Sequence, residues 1–185
     1  SAPEQVKATL EIIAEQAMRA GEIVRRARNF VRKGEVSFAP VQINQVVTDM
    51  CRFAELDALA AGVQIALELQ DELPPASGDR SSLEQLVMNL IKNGIEAMES
   101  TEGERRLTIR TALGGNDSIE CEVADLGEGL SEKVRAGLFE PFVTTKPDGV
   151  GLGLAICRTI VENHGGRLWF EPTRRRGAAF RFAVP

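Results

Sequence analysis

The chain is 185 residues long, with 22 Lys and Arg against 27 Asp and Glu, a formal net charge of −5 and one histidine. Its 43% hydrophobic and 26% charged residues are ordinary for a globular chain and exclude general disorder, and the acidic balance argues against a duplex-binding surface. No apolar run reaches the ~18–20 residues of a membrane span, and the polar start Ser1-Ala2-Pro3-Glu4 is no signal peptide, so a reduced, cytoplasmic compartment without membrane contact is expected.

From Glu4 to about Arg32 there is no proline and one glycine. Val6, Leu10, Ile13, Ala17, Ala20, Val24, Ala27 and Val31 step alternately by four and three, a heptad seam on a helix of roughly 28 residues and about 42 Å. A lone helix cannot bury such a seam, so it needs a helical partner in this chain or in a second copy. Ile12, Ile23 and Phe30 widen the stripe toward a bundle, and Arg25, Arg26, Arg28, Arg32 and Lys33 read as a solvated face or a phosphate patch. Residues 34–40 break the period and form a linker with a short extended piece.

Alternating helices and strands follow. A helix is expected over Ile43–Ala60, stopped at Gly62, and then an in-and-out strand over Val63–Leu69. Asp71–Pro75 is a turn, and Asp79 or Ser81 caps a helix running to about Glu99. Strands over Leu107–Leu113 and Ile119–Ala124 form a hairpin through Gly114–Asp117. Asp125–Gly149 is loop-rich, Leu152–Asn163 is helical, and strands over Arg167–Glu171 and Ala179–Val184 finish a mixed sheet in an α/β layer sandwich. Cys51, Cys121 and Cys157 lack metal-ligand spacing and are expected as buried free thiols.

Four clusters carry possible chemistry. Asn89 and Asn93 lie one turn apart on an otherwise apolar helix, where they serve as buried hydrogen-bonding amides or as hard oxygen ligands for Mg²⁺. Asp125-Leu126-Gly127-Glu128-Gly129-Leu130 leaves a strand with a carboxylate and two glycines, as a plain turn or as a pocket for a flat ligand. Leu138-Phe139-Glu140-Pro141-Phe142-Val143-Thr144-Thr145-Lys146 is too apolar for a free loop and suits a lid anchored by Phe139 and Phe142. Gly149-Val150-Gly151-Leu152-Gly153-Leu154 opens a helix as an anion seat, and matches neither a dinucleotide nor a Walker motif.

In this order and spacing the four clusters resemble the ATP-binding domain of two-component sensor histidine kinases in the GHKL superfamily. Phe142–Lys146, Ile160–Trp169 and the segment from Arg19 to Gly34 fit the FixL-like subgroup. The resemblance covers nearly the whole chain. It implies an α+β fold, a two-layer Bergerat-type sandwich with helices on one face of a mixed sheet. Residues 36–185 would form this domain, and residues 1–35 the second helix of a dimerisation region.

It further implies ATP and Mg²⁺ as ligands. Asp125 would accept from the adenine amino group over Gly127 and Gly129, and Asn93 with Asn89 would ligate the metal. Gly151, Leu152 and Gly153 would give amides to the phosphates, with Thr144, Thr145 and Lys146 in the lid. Lys92, Leu130, Phe142, Gly149 and Leu154 complete the binding set. A response regulator and a second copy, paired through the N-terminal helix, are the implied partners.

The acceptor histidine is missing. His164, in Asn163-His164-Gly165-Gly166, reads as a helix C-terminal residue whose partial positive charge suits the dipole. The chain is therefore expected to bind ATP without phosphorylating itself, as a piece of a longer kinase or as a chain that lost its acceptor. Asn89 stands where hydrolysing relatives such as gyrase carry a glutamate base, and an amide takes no proton, which disfavours a stand-alone ATPase. Ala178 stands where the family often has Thr, and Gly94 where Ala is commoner, at about 1 kcal/mol of helix stability. The alternative reading is a non-catalytic scaffold that docks a response regulator.

Overall fold

The structure, a computed structural model, describes Val6, Lys7, Leu10, Gly21 and residues 37–144, 150–173 and 176–185. The chain divides into two compact units, Ser1–Gly34 and Glu35–Pro185. In the first, Val6, Lys7, Leu10 and Gly21 are helical and exposed; the rest of the heptad seam and the basic cluster lie outside the described residues.

The second unit begins with β1 (Ala39–Val41) and α1 (Ile43–Ala60). Ile43, Val46, Val47, Met50, Cys51, Ala54 and Ala58 make one buried stripe at helical spacing, and Gly62 (φ +66) stops the helix in the left-handed region. After β2 (Gln64–Leu69) and β3 (Ala76–Gly78) comes α2 (Arg80–Glu96). Its N-cap is Asp79, whose carboxylate accepts the Ser82 N–H at 2.8 Å.

The hairpin of β4 (Arg106–Leu113) and β5 (Ile119–Asp125) turns through Asn116 and Asp117, both near φ +55. The short α3 (Glu132–Arg135), α4 (Gly153–Asn163), β6 (Arg167–Pro172) and β7 (Ala178–Val184) follow.

Five strands make one sheet in the order β2-β4-β5-β7-β6, with β2 and β4 parallel and the other neighbours antiparallel. β1 and β3 pair separately. Leu107, Ile109, Ile119, Cys121, Val123, Phe180 and Phe182 are buried on the face that meets α1, α2 and α4, which forms the core. The opposite face is polar. Glu68, Arg110, Glu122 and Arg181 stand in register on four adjacent strands, each hydrogen-bonded to the next, with Trp169 beyond Arg181. This is the mixed sheet with helices that the pattern predicts.

Three details differ from the sequence expectation. β2 does not alternate cleanly, because it is the sheet edge and Leu67 remains 42% exposed. β3 was hidden by its three-residue length behind Pro74-Pro75, and α3 by its single turn inside a loop-rich stretch.

Candidate functional site

β5 delivers Asp125 to the end of the sheet, 3% exposed. Its Oδ1 accepts two backbone N–H groups, from Gly127 at 2.8 Å and Ala178 at 3.2 Å. No other described residue donates to Oδ2. Burial pushes the carboxyl above its usual range, and the backbone N–H bonds from Gly127, Ala178 and Asp125 itself only partly offset that. Gly177 makes the arrangement possible: at φ +96 its bare Cα lies where any side chain would overlap the Asp125 carbonyl. Leu130 contributes its carbonyl, which accepts from Arg135 Nε at 2.9 Å.

α2 presses against the same point through Gly94. A Cβ there would lie 3.7 Å from Asp125 Cβ and would overlap Leu107 Cδ1, so the absent side chain lets the helix approach the sheet. Asn93, beside Gly94, faces α4: its Nδ2 is 3.9 Å from the position a Cβ on Gly153 would take. Asn89, one turn earlier, lies beside the buried Cys157 thiol of α4, whose Sγ donates to the Leu86 carbonyl. Lys92 points elsewhere. It is exposed and faces α1, with Nζ 4.0 Å from Asp57 Oδ2.

Among the described residues, no side chain caps the start of α4. Its N-cap position is Leu152, 4% exposed, which makes no side-chain hydrogen bond to the helix, and the first turn carries no acidic residue. Uncapped N–H groups at a helix start attract an anion. Leu154 lies half-buried in that first turn. Gly151 (φ +68) leads into it, and a Cβ there would be 2.5 Å from the Phe142 carbonyl carbon. The Phe142 N–H donates to the Gly151 carbonyl at 2.9 Å, joining the loop's two ends. Phe142 is no anchor: it is 74% exposed at φ +67, and Leu138, at 7%, is the buried residue instead. Thr144 is exposed, while Thr145, Lys146 and Gly149 lie outside the described residues.

The structure thus brings Asp125, Gly127, Asn89, Asn93 and the Gly151–Leu154 turn around one region, with Gly94 as the hub. Sequence reasoning missed the Ala178 N–H and the packing role of Gly94 and Gly177. The signal for Gly94 was its presence inside a helix, where a side chain is otherwise favoured; Gly177 lies in the turn before β7 and gave none.

Residues 78–185 match the family described as histidine kinase-, DNA gyrase B- and HSP90-like ATPase. The chain belongs to this ATPase family. Sensor protein FixL of Bradyrhizobium diazoefficiens is 37% identical over 181 residues, 98% of this chain and 36% of FixL. The full-length ShkA structure in complex with AMPPNP superposes with a TM-score of 0.78 at 27% identity, covering 92% of this chain and 36% of ShkA. The histidine kinase ThkA in complex with response regulator protein TrrA gives 0.78 at 26% identity, over 99% of this chain and 52% of that one. The chain spans about a third of the length of the curated relatives it matches. These solved structures, at 26–27% identity, are of histidine kinases.

His164 departs from its expected role. It is 3% exposed, its Nδ1 lies 2.7 Å from the Ile160 carbonyl, and its Nε2 accepts the Asp79 N–H at 3.0 Å. A ring that accepts at Nε2 is neutral, so it supplies no helix-end cation. The three cysteines are buried and unbridged, and burial pushes the Cys51 thiol up to about 11 and Cys157 to about 12. Among the described residues no cluster of three His, Cys, Asp or Glu side chains is assembled, and no helix is long and apolar enough to cross a membrane.

Proposed function

We propose that this chain is the ATP-binding catalytic portion of a cytoplasmic sensor histidine kinase. It transfers the γ-phosphoryl group of ATP to a histidine on a dimerisation segment outside these residues, for relay to a response-regulator aspartate. The observation that carries this reading is the convergence of three groups: the Asp125 carboxylate, whose Oδ2 takes no donor from another described residue, the Asn89–Asn93 pair, and the start of α4, which no described side chain caps. The donor set fits the ligands. Asp125 would take the adenine amino group, and the α4 amides at Gly151–Leu154 the phosphates.

Asn93 and Asn89, as neutral oxygen donors, would hold Mg²⁺, which supplies charge neutralisation to the phosphates. Asn89 lies beside Cys157, and an amide there offers no base for water, which favours transfer over hydrolysis. Residues 1–35 would be the second dimerisation helix, pairing two copies. The AMPPNP complex of ShkA and the response-regulator complex of ThkA support these ligand and partner assignments.

Mixing the chain with Mg·ATP and a separate fragment bearing the acceptor histidine tests the reading. Acid-labile phosphate on that fragment is expected. No transfer, or steady hydrolysis without transfer, refutes it.

A further inference from the structure

α2 and α4 run antiparallel along a seam with three regular contacts. Asp79 meets His164, Leu86 and Asn89 meet Cys157, and Asn93 meets Gly153. On α2 these points fall at 79, 86 and 93, successive pairs of turns on one face. Two of these contacts are a thiol and a bare glycine, which fix little on their own. The third, between Asp79 and His164, is different in kind.

The imidazole of His164 spans two backbones. Nδ1–H donates to the Ile160 carbonyl in the last turn of α4, and Nε2 accepts the N–H of Asp79. Asp79 in turn caps α2 through the Ser82 N–H. The ring has one workable orientation, because a flip would present carbon atoms to both partners. Its surroundings are close: a Cβ on Gly78 would lie 2.8 Å from His164 Cδ2, and the Phe38 ring sits over the imidazole at 5.2 Å between centroids. A neutral, fully bonded ring therefore ties the C-terminal end of α4 to the start of α2.

We propose that His164, held as its Nδ1–H tautomer, is a positioning residue for nucleotide binding. It fixes the register of α4 against α2, and so the distance from the first amides of α4 to Asn89 and Asn93. A slip of one residue along the seam moves these groups about 1.5 Å apart, enough to spoil a shared grip on phosphate and metal. The inference rests on the nucleotide reading above.

The test uses the whole 185-residue chain. Long-range proton–nitrogen NMR of the nucleotide-free protein is expected to show His164 protonated at Nδ1 and bare at Nε2. Calorimetry with Mg·AMPPNP is expected to show His164→Ala weakened about fivefold to tenfold, the scale of one or two lost neutral hydrogen bonds. His164→Gln, whose amide oxygen can accept the Asp79 N–H, is expected within about threefold of wild type on the same scale.

A proton on Nε2 overturns the proposal even if the alanine variant fails to fold. So does alanine binding as tightly as wild type, or glutamine binding as weakly as alanine. A wild-type chain that binds no nucleotide refutes the functional reading instead, and the nucleotide-free spectrum tells the two failures apart.

Discussion

Replacing Asp125 with Asn separates what this residue does for the fold from what it does for a ligand. The amide oxygen can stay at Oδ1 and keep both N–H bonds, from Gly127 and Ala178. The amide nitrogen must then occupy the Oδ2 position, turning an acceptor into a donor. Facing an adenine amino group, it loses a charge-assisted hydrogen bond of about 1.5–3 kcal/mol and leaves a donor unpaired. A total near 2–4 kcal/mol corresponds to affinity lower by about 30- to 900-fold.

Stability should move the other way. Burial raises the folded-state carboxyl above its unfolded value. Its stabilising contribution is therefore full below the unfolded value and is lost as pH rises through the folded one. At neutral pH the ionised group is a burden that Asn removes. Calorimetry with Mg·AMPPNP and thermal melts of the nucleotide-free protein check both parts. Binding within threefold of wild type, or a nucleotide-free variant that melts clearly lower at neutral pH, refutes the reasoning.

The charge row on the open sheet face gives an acid-dependent prediction. Partial burial alone would raise the Glu122 carboxyl, but hydrogen bonds from Arg110 and Arg181 outweigh it and hold the carboxyl below its ordinary range. Its stabilisation is thus present above the unfolded value and is lost as pH falls through the lowered folded one. Glu122→Gln should cost about 1–2 kcal/mol at neutral pH, allowing for the solvent exposure of both arginines, and urea titrations should show the gap closing only in acid.

Gly94→Ala gains about 1 kcal/mol of helix propensity but collides with the buried Leu107. It should destabilise alone and recover in combination with Leu107→Val, a coupling that a double-mutant cycle reads directly. Lys92→Ala should change nucleotide affinity by less than about twofold, since the ammonium lies by Asp57 on the α1 side; equilibrium titration checks it.

Much of this was legible in the chain itself, for physical reasons. The buried stripe of α1 is regular enough that the expected bounds Ile43–Ala60 coincide with the helix, and a glycine marks its stop. Asp79 signalled its cap because few residues accept from a helix's first N–H groups. Long-range approach was less visible. Nothing local to Gly94 tells that a leucine thirteen positions on occupies its missing side chain, and nothing local to Phe142 tells that its backbone, not its ring, closes the loop. His164 shows the same limit, since its partner Asp79 lies 85 residues away. A helix-end histidine followed by Gly-Gly looks solvent-facing until the far strand pair covers it.

The Phe142–Gly151 junction has a consequence for what can vary between them. Both residues hold left-handed backbone and share one hydrogen bond, so the two ends of the intervening stretch are set by the junction, independent of what it contains. Closing a chain between fixed ends costs only about 0.6 kcal/mol more for each doubling of its length. Segments of different size and composition can therefore be exchanged between these two residues at small thermodynamic cost, provided the junction is kept.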